Sequence, residues 1–179
     1  DMATGDTMIK LIAFDLDGVL VNSRELHYNA LNMALEQIDS GMVIDREEHL
    51  STYDGRTTTE KLDLLTKHKG LDKSRYDEIW KAKQANTVVL IQEMEADEEK
   101  INILKTLKEM GYKVHVCSNS IKQSLRLMLT RKGLIEFADE LFSNEDVSNP
   151  KPHPEIYMRS MVKAGVSPKE TLIVEDSHV

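Results

Sequence analysis

The chain has 179 residues, 40% of them hydrophobic and 30% charged, which suits one domain of ordinary size or one domain carrying an insertion, and argues against wholesale disorder. Lys and Arg number 23 against 31 Asp and Glu, a net charge of −8, the opposite of the basic stripe that marks a nucleic-acid-binding surface. The single cysteine, Cys117, excludes an internal disulfide and a cysteine-built metal cluster. The apolar runs fall far short of the ~20 residues of a membrane span. The sequence therefore predicts a soluble, cytoplasmic protein, monomeric or homodimeric, with neither a nucleic-acid nor a membrane partner.

Residues 1–7 are small, polar and unpatterned and are expected to be a leader. The first strand is predicted over residues 9–14, running into Asp15-Leu16-Asp17-Gly18. From residue 23 to residue 96 the pattern is helical. Leu26, Ala30, Leu31, Ala34, Leu35 and Ile38 share one face, and turns are expected at Tyr53-Asp54-Gly55 and at Gly70. Some seventy residues are far more than one crossover between strands needs, so this stretch is expected to be a helical insertion. Its acidic end, from Glu93 to Lys100, is expected to form a solvated hinge.

Strand–helix alternation then resumes. Ile101, Leu104 and Leu107 mark a helix stopped by Gly111, and KVHVC at Lys113–Cys117 is a strand that leads into Ser118-Asn119-Ser120. Leu125, Met128 and Leu129 mark the next helix, and Glu140–Phe142 the next strand. Ile156, Met161 and Val162 belong to a helix starting near Pro154 and ending at Gly165, and Thr171–Val174 is the last strand. Near-continuous apolar runs of this length suit strands buried on both faces of a parallel sheet. The fold class is α/β: a Rossmann-like parallel-sheet core from residues 8–22 and 97–179, interrupted by an all-helical cap over 23–96. The sequence stops at Glu175-Asp176-Ser177-His178-Val179, directly after a strand, so the C-terminal part of the core is expected to be missing.

Three of the four strands end in polar or acidic clusters, and open α/β sheets bind ligands at the carboxyl ends of their strands. Asp15 and Asp17 follow the first strand, Ser118 and Asn119 the second, and Glu175 and Asp176 the last. Lys151 lies in the proline-rich loop Asn149-Pro-Lys-Pro-His-Pro154. Four carboxylates beside one lysine are unfavourable alone, since two like charges ~4 Å apart repel by roughly 4 kcal/mol at an effective dielectric of 20. A hard cation such as Mg²⁺, with waters and a substrate phosphate, relieves that repulsion. The expected ligands are thus Mg²⁺ and a small phosphorylated metabolite.

In this order and spacing the motifs resemble those of the haloacid dehalogenase-like hydrolase superfamily, in its branch of helical-cap phosphatases and phosphomutases. The resemblance rests on Asp15-Leu16-Asp17-Gly18-Val19-Leu20, on Ser118 after a strand, on Lys151 in Lys-Pro-His-Pro-Glu, and on Glu175-Asp176-Ser177. It implies that Asp15 is the nucleophile and Asp17 the general acid and base. Asp15, Asp17, Asp176 and Glu175 would be the metal residues, and Ser118, Asn119 and Lys151 the phosphate-binding ones. His27 and Arg56 would bear on substrate choice from the cap. The implied activity is Mg²⁺-dependent hydrolysis of a sugar phosphate through an aspartyl-phosphate. The alternatives are a β-phosphoglucomutase-like phosphomutase and a truncated, non-catalytic fragment of such an enzyme. Two features depart from the family pattern: Asn22 stands where aspartate is more usual, and residues 95–101 lack Pro-Gly. Outside the motifs, Cys117 reads as an inert buried thiol, His153 and His178 as loop residues, and the nine methionines as core packing.

Overall fold

A computed structural model describes residues 8–176, so the expected leader and the motif residue Ser177 with His178 lie outside the described residues. In chain order the elements are β1 (Leu11–Asp15), α1 (Ser23–Ile38), α2 (Arg46–Glu48), α3 (Thr58–Lys69), α4 (Tyr76–Gln92), α5 (Glu98–Glu109), β2 (Lys113–Cys117), α6 (Lys122–Lys132), β3 (Glu140–Phe142), α7 (Glu155–Ala164) and β4 (Thr171–Val174). A short π-helical turn, His49–Tyr53, follows α2. The chain divides into two compact units, one formed by residues up to Val21 together with those from Glu95 onward, the other by Asn22–Met94.

The first unit is built on a four-stranded sheet in the order β3-β2-β1-β4, every pairing parallel. This is the α/β class that the strand–helix alternation predicts. The register sets Asp15 opposite Cys117, Cys117 opposite Phe142, and Phe14 opposite Val174. Ser118 and Glu175 therefore emerge on either side of Asp15 at the carboxyl edge of the sheet. The central strand β1 is buried along its whole length and β2 after its first residue, as parallel strands covered on both faces require.

Three expectations about burial need correction. β4 lies at the sheet edge with a single neighbour, and Leu172 and Ile173 are 49% and 41% exposed. The stripe expected on α7 is also displaced: Ile156, Tyr157, Ser160 and Ala164 are its buried face, while Val162 is 81% exposed. Residues 156, 160 and 164 repeat at i+4, which sets 162 on the opposite side. Ser160 is polar and so hid this face from a reading of apolar spacing. Its Oγ lies 2.7 Å from Nδ1 of the buried His115 on β2. The methionines also depart from expectation, since only Met128 of those described is fully buried, whereas Met8, Met33, Met110 and Met158 are exposed. Nor is the acidic stretch after Glu93 linker throughout. Asp97 caps α5 by accepting the Lys100 N–H at 3.2 Å, and Glu98 and Glu99 fill the first turn, where the helix dipole favours acids.

His115 makes stability pH-dependent. Burial lowers its pKa from the ordinary histidine value of 6.5, against the upward pull of Glu140 and Asp139; Lys113 and Lys108 lower it further. The unfolded chain binds this proton at a pH where the folded chain does not, so the stabilisation is complete above 6.5 and is lost as pH falls below it. Urea unfolding between pH 7 and pH 5 is expected to show stability declining, by up to about 1.4 kcal/mol per pH unit for one proton. The slope should shrink in His115→Gln; an unchanged slope would contradict this assignment.

The second unit is wholly helical. α1 packs along α4, and Leu31, Ala34, Leu35, Ile44, Tyr53, Leu62, Leu65, Leu71 and Ile79 form its core. Asn32 on α1 fastens the segment before α2 by bonding both the N–H and the carbonyl of Ile44, at 2.9 and 2.7 Å. Thr57 caps α3, and Gly70 ends it in the left-handed conformation, φ +75°.

Candidate active site

Asp15 is the last residue of β1 and is 5% exposed. Its Oδ1 receives two hydrogen bonds, from Lys151 Nζ at 2.8 Å and from the Asp17 N–H at 3.3 Å. Both fall on one carboxylate oxygen, which leaves Oδ2 to act. Lys151 also donates to the Cys117 carbonyl at 2.8 Å, so the ammonium bridges the ends of β1 and β2.

The chain turns sharply after Asp15. The Gly18 N–H bonds the Val21 carbonyl at 2.9 Å, and the Leu20 and Val21 N–H groups both reach the Leu16 carbonyl. Gly18 has φ +76°, and a Cβ there would stand 2.3 Å from Asp176 Oδ2. Only glycine fits this position, and the same close approach places the Asp176 carboxylate against the Asp17–Gly18 loop. The ends of β1 and β4 are thus neighbours, and Glu175 lies near Cys117 and Tyr157.

This donor set fits Mg²⁺ in kind. Every candidate ligand is a hard oxygen, and Mg²⁺ is ordinarily held by one or two carboxylates while keeping several waters and a substrate phosphate. Among the described residues, no three His, Cys, Asp or Glu side chains gather at metal-enclosing spacing.

On the β2 side, Ser118 is fully buried and its Oγ accepts the Ser120 N–H at 3.0 Å, which leaves the hydroxyl hydrogen to donate elsewhere. Asn119 clasps the lysine loop through both ends of its amide: Nδ2 donates to the Lys151 carbonyl at 3.1 Å and Oδ1 accepts the Lys151 N–H at 2.9 Å. Its side chain holds Lys151 in place, a task that the sequence gives no sign of. Glu155 ties the same loop from the other side by accepting the Ser148 and Asn149 N–H groups.

Cys117 is buried beneath the site, and burial pushes its thiol pKa up to about 12 despite the opposing pull of Lys151. The thiol is expected to resist iodoacetamide in the folded protein and to react on unfolding in urea, giving a probe of core opening. Rapid alkylation of the folded protein would contradict this.

His27 and Arg56 belong to the helical unit. His27 Nδ1 on α1 lies 3.1 Å from Lys83 Nζ on α4. Burial, then Lys83 and Lys61, hold the imidazole well below the ordinary histidine value, so it is neutral at pH 7. Lys61 and Lys83, 5% and 4% exposed, are buried, which no pattern in the sequence signals. Arg56 is more open, donating from Nε to the Thr52 carbonyl at 2.8 Å and pairing with Glu60 at 3.6 Å.

The sequence model of the haloacid dehalogenase-like hydrolases matches residues 12–179. The chain belongs to this family. Among curated relatives of this hydrolase, pyrophosphatase PpaX of Bacillus cereus (strain AH820) is 28% identical over 179 aligned residues, covering 95% of this chain and 76% of the relative. Among solved structures, a variant of CbbY from Rhodobacter sphaeroides, in complex with xylulose-1,5-bisphosphate, superposes with a TM-score of 0.83 at 25% identity, over 95% of this chain and 79% of that one. β-Phosphoglucomutase from Clostridium difficile superposes with a TM-score of 0.80 at 26% identity, over 95% of this chain and 77% of that one. No helix of this hydrolase among its described residues is long and apolar enough to cross a membrane.

Proposed function

We propose that this hydrolase is a Mg²⁺-dependent phosphatase, a phosphoric monoester hydrolase that acts on a small sugar phosphate through an aspartyl-phosphate on Asp15. The observation that carries the reading is the buried Asp15 carboxylate, held through Oδ1 by Lys151 and the Asp17 N–H. Two bonds to one oxygen fix the carboxylate's rotation and aim Oδ2, and proximity of this kind is a large part of catalysis. Oδ2 attacks phosphorus and the leaving oxygen departs, taking a proton from the Asp17 carboxyl. Asp17, now a carboxylate, removes a proton from water, which attacks the aspartyl-phosphate and releases phosphate.

Lys151 offsets charge on the phosphoryl oxygens, and Ser118 donates its remaining hydroxyl hydrogen there. Asn119 belongs with them as a phosphate-binding residue, and its amide also holds the Lys151 loop. Asp15, the Asp17 carbonyl and Asp176 would hold Mg²⁺, with Glu175 a ligand or a neighbour of one. When bound, the cation supplies positive charge against the phosphoryl group. We read the helical unit as the cap, with His27 and Arg56 bearing on substrate choice. Resemblance to CbbY bound to a sugar bisphosphate supports a sugar phosphate as substrate class.

Resemblance to β-phosphoglucomutase favours a second reading, in which Asp15 passes the phosphoryl group to a sugar hydroxyl. A panel of sugar phosphates incubated with and without Mg²⁺ separates the two. The phosphatase releases inorganic phosphate only with the metal, whereas a mutase converts one sugar phosphate to its isomer with little free phosphate. Metal-independent release would contradict both.

A further inference from the structure

One buried polar atom beside the site has no place in the chemistry above. Tyr157 sits in the first turn of α7, six residues after Lys151, and is 8% exposed. Its ring packs with Ala13 of β1, Cys117 of β2 and Ile156, so it is fixed by the core directly under the strand ends that carry Asp15 and Ser118. The Lys151 ammonium lies 5.1 Å from the ring centroid, within the range of a cation–π contact. The Tyr157 hydroxyl is buried without completing a hydrogen bond to any described residue, and the Glu175 carboxylate is among the groups that act on it. Buried hydroxyls left this way are uncommon in folded proteins, and their occurrence calls for a partner.

The asymmetry between the two groups indicates which one orders the other. Tyr157 is held by a helix and a packed core, whereas Glu175 follows the edge strand and is exposed. A phenol hydroxyl is protonated near neutral pH, so it can serve that carboxylate only as a donor.

We propose that Tyr157 is a positioning residue of the active site: its ring supports the Lys151 ammonium, and its hydroxyl donates to Glu175, thereby setting how the adjacent Asp176 faces the cation. The inference rests on the reading of this edge as a Mg²⁺ site. It assigns the lysine loop and the β4 acidic pair a shared support, so that the charge facing the phosphoryl group and the charge facing the metal are set by one rigid side chain. Partners of this kind typically change metal affinity 10–100-fold when removed.

The test is Mg²⁺ affinity, measured by calorimetry on the full chain for wild type, Tyr157→Phe, Glu175→Gln and the double variant. Tyr157→Phe keeps the ring under Lys151 and removes only the hydroxyl. It is expected to weaken Mg²⁺ binding about tenfold or more, with the thermal midpoint of the metal-free protein unchanged. In the Glu175→Gln background the same change should add little, because the two act through one hydrogen bond. A Tyr157→Phe variant that binds Mg²⁺ as tightly as wild type overturns the inference, as does an effect that simply adds to that of Glu175→Gln. A merely structural tyrosine would lower the thermal midpoint and leave the affinity unmoved. Wild type that binds no Mg²⁺ overturns the cation-site reading itself, and this assignment with it.

Discussion

Replacing Asp15 by Asn is expected to lower phosphate release by about 10³-fold or more while the protein stays folded. Asn has almost the same shape, and its carbonyl oxygen can still accept from Lys151 and from the Asp17 N–H. What is lost is a nucleophilic carboxylate oxygen, and removing a nucleophile from a group of residues that act together costs about as much as removing the group. Folding should change little, because the Asn carbonyl and the Cys117 carbonyl still accept from the Lys151 ammonium, which is therefore not left without acceptors. The check is phosphate release beside urea unfolding. Turnover within tenfold of wild type would remove Asp15 from the mechanism.

Replacing Lys151 by Met is expected to damage activity and stability together. Loss of a charged donor to the phosphoryl oxygens lowers kcat by about 10²–10³. The Asp15 carboxylate, 5% exposed, is then left with no cation in hydrogen-bonding reach among the described residues, and removal of one partner of a buried pair costs about 3–5 kcal/mol. Lys151→Arg is not expected to rescue the site, since a planar guanidinium does not fit the narrow gap where one ammonium bonds both Asp15 Oδ1 and the Cys117 carbonyl at 2.8 Å. Kinetics and urea unfolding on both variants check this. Wild-type stability in Lys151→Met would show that the pair contributes nothing to folding, and the contrast with Asp15→Asn would vanish.

β1 and β2 were legible because a strand buried on both faces must be apolar throughout, and LIAFD and KVHVC nearly are. The acidic and polar residues that follow them could be placed at the carboxyl ends of strands by chain order alone. Strand order could not: that β4 lies beside β1, which brings Asp176 against Gly18, depends on tertiary packing. The edge position of β4 likewise left Leu172 and Ile173 half exposed, although their apolar character reads like that of a buried strand.

Polar residues in the core were the main source of error. Ser160 is buried because His115 faces it across the α7–sheet interface, and a single polar letter at that position broke the apolar period that would have exposed the true face of α7. Tyr157 shares that face and was missed with it. The hold of the Asn119 amide on the Lys151 backbone is a contact between residues 32 apart in the chain, which no local pattern announces. The burial of Lys61 and Lys83 is not legible in the sequence, because lysines are so seldom buried that a helical face bearing them reads as solvated.

The most direct test of the central claim is to look for the covalent intermediate. The protein is mixed with Mg²⁺ and the sugar phosphate that it turns over, quenched in acid during turnover, digested, and the peptides are weighed. The account predicts one added phosphoryl group on the peptide that contains Asp15, removed by hydroxylamine as an acyl phosphate would be, and absent from Asp15→Asn. A phosphoryl group on another residue, or rapid turnover with no label at Asp15 under conditions where acyl phosphates survive, would contradict it.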